Sequence, residues 1–526
     1  MSRYSHLISS PIPQTEPLDE RQVLNHAGGY GYQIDIWKRL ERFLILGSDS
    51  NTYYQKARDL TRENAACVET CYKEDAARAV DTIVEISSNG RAPRNSPAIF
   101  ALALGVVNED VKIRQLAYNR MPRVCRTATH LFEFLKVCAA LKKGWGRGLK
   151  RAVANWYNNK SVDQVAYQMV KYRSRETMNH SRAIKLINTA AFGYPERVRL
   201  YNWAHGKDVE TDKLPQIVQG HIQAMLAENH RRVPQLIRDY RLPWEAIPTE
   251  VRRNPEVWKA MMPSMGLTAM IRELGHMTEY GAVGPLSAEA MMIQKRLTDA
   301  NELWNARIHP FNLLVAHAVY RSGKSVLGKA AWTPLHQLTG ALEDAFHLSF
   351  SYVEPAGKRT LVAVDVSASM SVPIMNSPLT AAEACAALAM TVMRTEPQSI
   401  AMAFANEFRD LGIDKHTSLS NAIRKTTDQN FGSTDCAVPM VWARQRAVPI
   451  DTFIVLTDNE TWAGPQHVTA ALREYRDAMK IPSKVIVVGM TATKISIADP
   501  HDPGMLDIVG FDSNCPALIA DFSRGG

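Results

Sequence analysis

A carboxylate and two hydroxyls stand at alternate positions in Asp365-Val-Ser-Ala-Ser369, directly after the aliphatic run Leu361–Val364. Oxygen donors at this spacing suit a hard divalent cation such as Mg²⁺, which takes carboxylate and hydroxyl oxygens and keeps waters or an outside ligand. Taken alone, the same residues read equally as a Ser-rich turn capping the next helix. The C-terminal third adds two more donors. Thr434 lies in the polar loop Phe431-Gly-Ser-Thr-Asp435, and the apolar run Asp451-Thr-Phe-Ile-Val-Leu-Thr-Asp458 ends in a second carboxylate. Asp365, Ser367, Ser369, Thr434 and Asp458 are therefore the candidate cation ligands.

Strands must hold these side chains. Leu361–Val364, Ser399–Ala405, Asp451–Asp458 and Lys484–Gly489 are short aliphatic runs of the kind buried on both faces of a sheet. Helical stretches at Ala381–Thr395 and Val468–Met479 alternate with them, which predicts parallel βαβ units. Ligands of such open sheets bind where the strands run out. The order and placement of the five donors resemble the von Willebrand factor A domain and its metal-ion-dependent adhesion site.

Upstream the pattern changes. Apolar residues recur at helical spacing in Ile34–Leu46, Ala76–Ile86, Ser96–Leu104, Leu131–Leu141, Val162–Val170, Leu214–Ala227 and Asn312–Tyr320. Short breaks fall at Gly47, Gly90, Pro122, Gly144, Pro195, Pro234 and Pro263. Many short helices with short connections predict stacked helical hairpins, and HEAT-type repeats fit because their sequences diverge widely. The expected organisation is a helical-repeat domain over 1–356 and an α/β domain over 357–526.

Charge divides along the same boundary. The chain has 62 Lys and Arg against 53 Asp and Glu; residues 357–526 hold 15 and 18 of these, which leaves 47 and 35 in 1–356. A basic helical part points to a polyanionic partner. The density is greatest between about 110 and 200. Lys142, Lys143, Arg147, Lys150 and Arg151 flank or occupy Gly144-Trp-Gly-Arg-Gly148, and Lys171 and Arg175 fall at i,i+4 while Arg182 and Lys185 fall at i,i+3. Trp145 and Tyr172 lie among these charges, and cations interleaved with aromatics contact phosphates and stack on unpaired bases. A solvated basic face with Trp145, Trp156 and Tyr157 in the core is the alternative.

Other classes fit poorly. Arg321-Ser-Gly-Lys-Ser325 lacks the first Gly of a phosphate loop, and there is no Gly-x-Ser-x-Gly or His-Glu-x-x-His. His309 stands alone, and no general base or second metal cluster accompanies Asp365 for phosphatase or nuclease chemistry. The seven cysteines form no metal-type pairs, as expected in a reducing cytosol. No run is long enough to span a bilayer, and the first residues carry no secretory h-region.

The chain as a whole resembles the Ro autoantigen family, which defines the TROVE-type RNA-binding module, in a bacterial or phage form. The resemblance is carried by Gly47-Ser through Thr52-Tyr-Tyr54, Trp145-Gly-Arg-Gly148 with Trp156-Tyr-Asn158, Val257-Trp-Lys-Ala260, Ala306-Arg-Ile-His-Pro-Phe311, Val364-Asp-Val-Ser-Ala-Ser-Met370, Gly432-Ser-Thr-Asp-Cys436, Phe453-Ile-Val-Leu-Thr-Asp-Asn-Glu460, Ala471-Leu-Arg-Glu-Tyr-Arg476 and Ile497-Ala-Asp-Pro500. It implies a ring of HEAT-type repeats closed by the von Willebrand-type domain. It also implies a non-enzymatic, cytoplasmic, monomeric protein that binds Y-like small non-coding RNA and the single-stranded ends of misfolded structured RNA, with an exoribonuclease partner. A histidine that the family uses for Y RNA aligns with Asn188, which hydrogen-bonds but carries no charge. The loop reads Gly-Ser-Thr-Asp where the family has Gly-Gly-Thr-Asp. A metal-dependent protein-binding module with an incidental basic solenoid is the competing reading; copurifying nucleic acid with steep salt dependence separates the two.

Overall fold

The computed structural model describes residues 11–48, 60–141, 146–175, 177–187, 194–227, 230–326, 328–374, 377–405, 407–428, 432–491 and 493–525. The chain forms two compact units, one of Val68–Gly90 and Arg94–Leu348, the other of Met1–Cys67, Arg91–Pro93 and Ser349–Gly526. The division expected at 356/357 thus differs: the N-terminal residues and Arg91–Pro93, expected in the helical part, pack with the α/β part, whose C-terminal stretch begins at Ser349. The cause is local pairing. Strands β1 (Gln22–Leu24) and β2 (Tyr30–Gln33) form an antiparallel hairpin, and Tyr32 and Gln33 also pair with Ser496 and Ile495.

The helix Ile36–Leu46 follows, capped by the Asp35 carboxylate, which accepts from the amides of Trp37 and Lys38. It buries Leu40, Phe43 and Leu44 together with Arg42. The Arg42 guanidinium donates to both oxygens of Asp507, at 2.7 and 2.8 Å, and to the carbonyls of Thr493 and Ile495. A buried fork of this kind is fully hydrogen-bonded and fixes the helix in one register.

The helical unit is built of short helices packed on near neighbours in the chain. Ala76–Asn89 and Ser96–Val107 pack on Val111–Val124, Gln216–Leu226 on Val233–Tyr240, and Pro310–Ser322 on His336–Leu348. Arg307 donates to the Ser88 carbonyl at 3.2 Å across 219 positions, so late helices of this unit return to early ones. Pro122, expected as a break, lies inside the helix Val111–Val124, within its last turn.

The basic stretch from Met169 departs from the expected helix. Val162–Lys171 starts at a capping box, in which Ser161 Oγ accepts from the Gln164 amide and Gln164 accepts from the Ser161 amide. It stops at Lys171, because Tyr172 adopts φ −118°, ψ 64°. The chain then turns through a short hairpin, β3 (Ser174–Arg175) paired with β4 (Met178–Asn179), packed on the helix Ala128–Ala140. Lys171 and Arg175 are therefore not one turn apart on a helix. Arg182 and Lys185 do share the short helix His180–Lys185.

His180 starts that helix and is buried. Its Nε2 faces the Gln168 carbonyl at 3.2 Å and its Nδ1 lies 2.8 Å from the Tyr157 hydroxyl. A carbonyl only accepts, so Nε2 carries the proton and Tyr157 donates to Nδ1.

The sheet of the other unit comprises β5 (Thr360–Asp365), β6 (Ser399–Phe404), β7 (Phe408–Asp410), β8 (Thr452–Thr457), β9 (Lys484–Gly489) and β11 (Met505–Val509), with β10 (Ile495–Ser496) being the partner of β2. Its order is β11-β9-β8-β5-β6-β7, parallel except for the antiparallel edge strand β7. The four expected strands are present, and β5 and β8 are buried throughout. Among the parallel strands, the first and third in chain order are neighbours, so chain direction across the sheet reverses between β5 and β8. Such a switch point opens a crevice at the carboxyl ends of the strands.

Two outcomes follow. Arg42→Ala leaves Asp507 and two carbonyls without their donor inside the α/β unit, and should lower its stability by about 3–5 kcal/mol; a loss under about 1 kcal/mol in chemical denaturation would contradict the packing. Burial pushes the His180 imidazole down to about 4. Its folded pKa is below the ordinary value, so its stabilisation is complete above about pH 6.5 and is lost as pH falls towards 4. Nitrogen NMR of labelled histidine should find His180 in the neutral Nε2–H form at pH 5.5; an imidazolium signal there would refute the assignment.

Candidate functional site

The strand-end residues converge at the crevice between β5 and β8. Asp365 is the last residue of β5, and Asp458 follows β8; both are fully buried. Asp365 Oδ1 accepts from the Ser367 amide at 2.9 Å, which turns the chain so that Ser367 Oγ lies 3.0 Å from Ser369 Oγ. Ser367 is buried and Ser369 half-buried. Asp458 Oδ1 accepts from the Glu460 amide at 2.9 Å, the same Asx turn repeated on the neighbouring strand.

The loop that carries Thr434 packs on the loop that follows β8. The Thr434 carbonyl accepts from the amides of Trp462 and Ala463 and from the Thr461 hydroxyl. The loops 432–436 and 458–464 are thereby laced together beside the two carboxylates. One member of the site was not singled out from sequence. Thr457 reads as a buried strand residue, yet its hydroxyl donates to Asp365 Oδ2 at 2.7 Å.

The N-terminal segment braces the same loops. Gln14 Nε2 donates to Asp435 Oδ1 at 2.7 Å and to the Gln466 carbonyl at 3.0 Å. Asn25 donates to the Thr461 carbonyl at 2.6 Å, and Glu460 accepts from the amides of His26 and Ala27. Gly29 sits so close that a Cβ there would lie 2.1 Å from the Thr461 carbonyl oxygen.

The electrostatics are those of a site short of positive charge. Burial pushes the Asp365 carboxyl up to about 7, and the charge of Asp458 adds to the effect; Ser367 and Thr457 oppose it. None of the strongest influences on Asp365 is a basic group. Burial likewise holds Glu460 near 7, with Asp458 again contributing. Two buried carboxylates beside three hydroxyl oxygens match the donor chemistry of Mg²⁺. Among the described residues no group of three or more His, Cys, Asp or Glu gathers that could hold a metal ion.

The basic candidates lie in the helical unit. Arg147 and Lys150 are exposed on the helix Arg147–Asn158, and Arg182 and Lys185 are exposed on His180–Lys185. Lys185 and Lys207 both depress the pKa of His205, after burial, which places two cations at one spot. Lys171 differs from the others. It is half-buried, 3.3 Å from the Tyr167 hydroxyl, within 5.5 Å of the Tyr167 and Tyr172 ring centres, and 4.0 Å from Glu245. Arg175 has its backbone in β3, whereas Lys142, Lys143 and Asn188 lie outside the described residues. Trp156 and Tyr157 are core aromatics, the alternative weighed for them from sequence.

Comparison with known proteins decides the family. A TROVE domain model matches residues 23–207 and 239–322, and a Ro60 vWA domain model matches 359–523. The chain is 41% identical to the RNA-binding protein RO60 of Deinococcus radiodurans over 518 residues, covering 98% of this chain and 97% of that one. This chain belongs to the Ro60 family. The RNA-binding protein RO60 of Caenorhabditis elegans is 31% identical, over 97% of this chain and 91% of its own. The crystal structure of the D. radiodurans RO (RSR) protein superposes with a TM-score of 0.71 at 40% identity, covering 93% of this chain and 100% of that one. A helical region joined to a von Willebrand-type α/β domain is thus the architecture of this Ro60-family chain, as expected from its sequence.

Thr457→Val keeps the shape of the strand and removes the donor to Asp365. A buried carboxylate oxygen left without its partner costs about 1–3 kcal/mol. Denaturation in a chelating buffer should report a loss of that size for the α/β unit; no measurable change would mean that the Thr457 hydroxyl does not hold Asp365.

Proposed function

We propose that this chain is a non-enzymatic RNA-binding scaffold of a small ribonucleoprotein. The observation that carries the reading is the set of exposed cations on Arg147–Asn158 and His180–Lys185, within the part of the chain that matches the TROVE domain. Both curated relatives bear the name RNA-binding protein. Side chains of this kind bind phosphates with release of counterions, so affinity is set by charge and falls with salt. We assign Y-like small non-coding RNA and the single-stranded ends of misfolded structured RNA as ligands, in RNA quality control or maturation, with an exoribonuclease as protein partner. The proposed setting is the cytoplasm and the proposed state a monomer.

In the other unit, Asp365, Ser367, Ser369, Thr434 and Asp458 would hold one Mg²⁺, some of them through water. The ion supplies the positive charge that two buried carboxylates otherwise lack. The chain's own residues prepare the site: Thr457 and the Ser367 amide orient Asp365, and the Glu460 amide orients Asp458.

Filter binding of a Y-like stem-loop RNA across a salt series tests the RNA reading. Replacing Lys150, Arg182 and Lys185 together by Ala should weaken binding at least tenfold and flatten the log–log salt slope by about 0.9 per lost duplex contact. Unchanged affinity and slope would place the RNA elsewhere. For the cation, Mg²⁺ at a hundredfold excess over its Kd should stabilise the wild type by about 2.7 kcal/mol. Asp365→Asn should lose that gain and leave RNA affinity intact; a variant stabilised by Mg²⁺ like the wild type would rule the site out.

A further inference from the structure

A groove of about 660 Å³ lies between the helices Val111–Val124 and Arg147–Asn158. Its walls are two facing stripes at helical spacing. Arg114, Gln115, Tyr118 and Asn119 come from the first helix; Gly148, Arg151 and Asn155 come from the second. The spacing is that of neighbours on a helix face, so all these groups point into one trough. Among the described residues no carboxylate lines it.

The groove is shaped by Gly148. A Cβ at that position would lie 2.7 Å from the Tyr118 ring, so only glycine lets the ring lie against the second helix. Arg114 is held in place by its own Nη1, which donates to the carbonyls of Asn108 and Glu109 at 2.8 and 2.6 Å. The remaining polar groups are not spent on the protein. Arg151, Gln115, Asn119 and Asn155 are exposed, and their side chains make no hydrogen bond or ion pair among the described residues.

Two guanidinium groups, three free carboxamides and one ring form a particular chemical combination. Guanidinium forks pair with phosphate oxygens. Carboxamides offer a donor and an acceptor side by side, which matches the edge of a nucleobase. An aromatic face takes a stacked base. The volume falls within the range of about 300–1,000 Å³ typical of small-ligand sites. A concave trough of this size admits one splayed-out nucleotide, whereas a duplex presents a convex surface with its bases already stacked.

We propose that this groove holds a single unstacked nucleotide of a bound RNA strand, with Arg151 and Arg114 on its phosphate and Asn119, Asn155 and Gln115 around its base. The inference rests on the RNA-binding reading and deepens it. It separates a pocket for single strands from the exposed cations on Arg147, Lys150, Arg182 and Lys185 that would meet a duplex backbone.

The test uses the full chain and two probes: a single-stranded decauridylate carrying one 4-thiouridine, and a blunt RNA hairpin. Arg151→Ala with Asn155→Ala should weaken the decauridylate about tenfold, flatten its salt slope by about 0.7, and leave the hairpin within twofold. Photocrosslinks to the wild type should map to residues 111–124 or 147–158. Equal decauridylate affinity in the double variant, with crosslinks mapping elsewhere, overturns the groove while leaving the RNA reading standing. A wild type that binds neither probe overturns both. Should the double variant lose its fold by circular dichroism, the wild-type crosslinks decide the matter alone.

Discussion

Two carboxylates buried side by side, at the ends of adjacent parallel strands, are the constraint around which the α/β unit is organised. Both carboxylates are buried, and burial together with the charge of Asp458 opposes ionisation of Asp365. Such a pair persists only where neighbours hold it. The reversal of chain direction between β5 and β8 opens the crevice, the Thr457 hydroxyl and two backbone amides fix the oxygens, and the loops 432–436 and 458–464 close over them. The N-terminal segment completes the cage. Its contacts with Thr461, Glu460 and Asp435 explain why a stretch so far away in sequence belongs to this compact unit.

The helical unit follows a different logic. Lys150, Arg182 and Lys185 are kept outward, with carbon stems on the helices and cationic heads in water, whereas Arg197 is buried and donates to the Tyr157 and Lys160 carbonyls. Lys171 stands between these two cases. Seated between Tyr167, Tyr172 and Glu245, it has lost part of its hydration and gained a counter-charge, so a phosphate must compete for it. Arg151, by contrast, is free among the described residues. Basic residues equal in sequence are therefore unequal as phosphate contacts.

Legibility in the sequence followed the range of the interactions. Strands β5, β6, β8 and β9 could be read because each is an aliphatic run long enough to be buried on both faces, and a carboxylate at the end of such a run marks a ligand position. Strands β1, β2 and β10 could not, since each is two to four residues long, β10 pairs with β2 across more than 450 positions, and β1 exists only in its hairpin with β2. The helical spacing of Lys171 and Arg175 was a false continuation, because periodicity does not register that Tyr172 leaves the helical region. Thr457 was hidden by its type, a β-branched residue at home in any strand. Arg114, Asn119 and Asn155 were hidden by being ordinary helix-surface residues until two helices faced each other, and Arg151 read only as one more cation of the basic stretch.

The central claim is a division of labour, with RNA on the basic helices and a cation at the strand ends. Hydrogen exchange of the full chain, with and without a Y-like RNA in Mg²⁺ buffer, tests it most directly. The account expects RNA to slow exchange in Arg147–Asn158 and His180–Lys185 and to leave the loop 458–464 unchanged. Protection concentrated at the ends of β5 and β8, with those two helices exchanging as before, would contradict it.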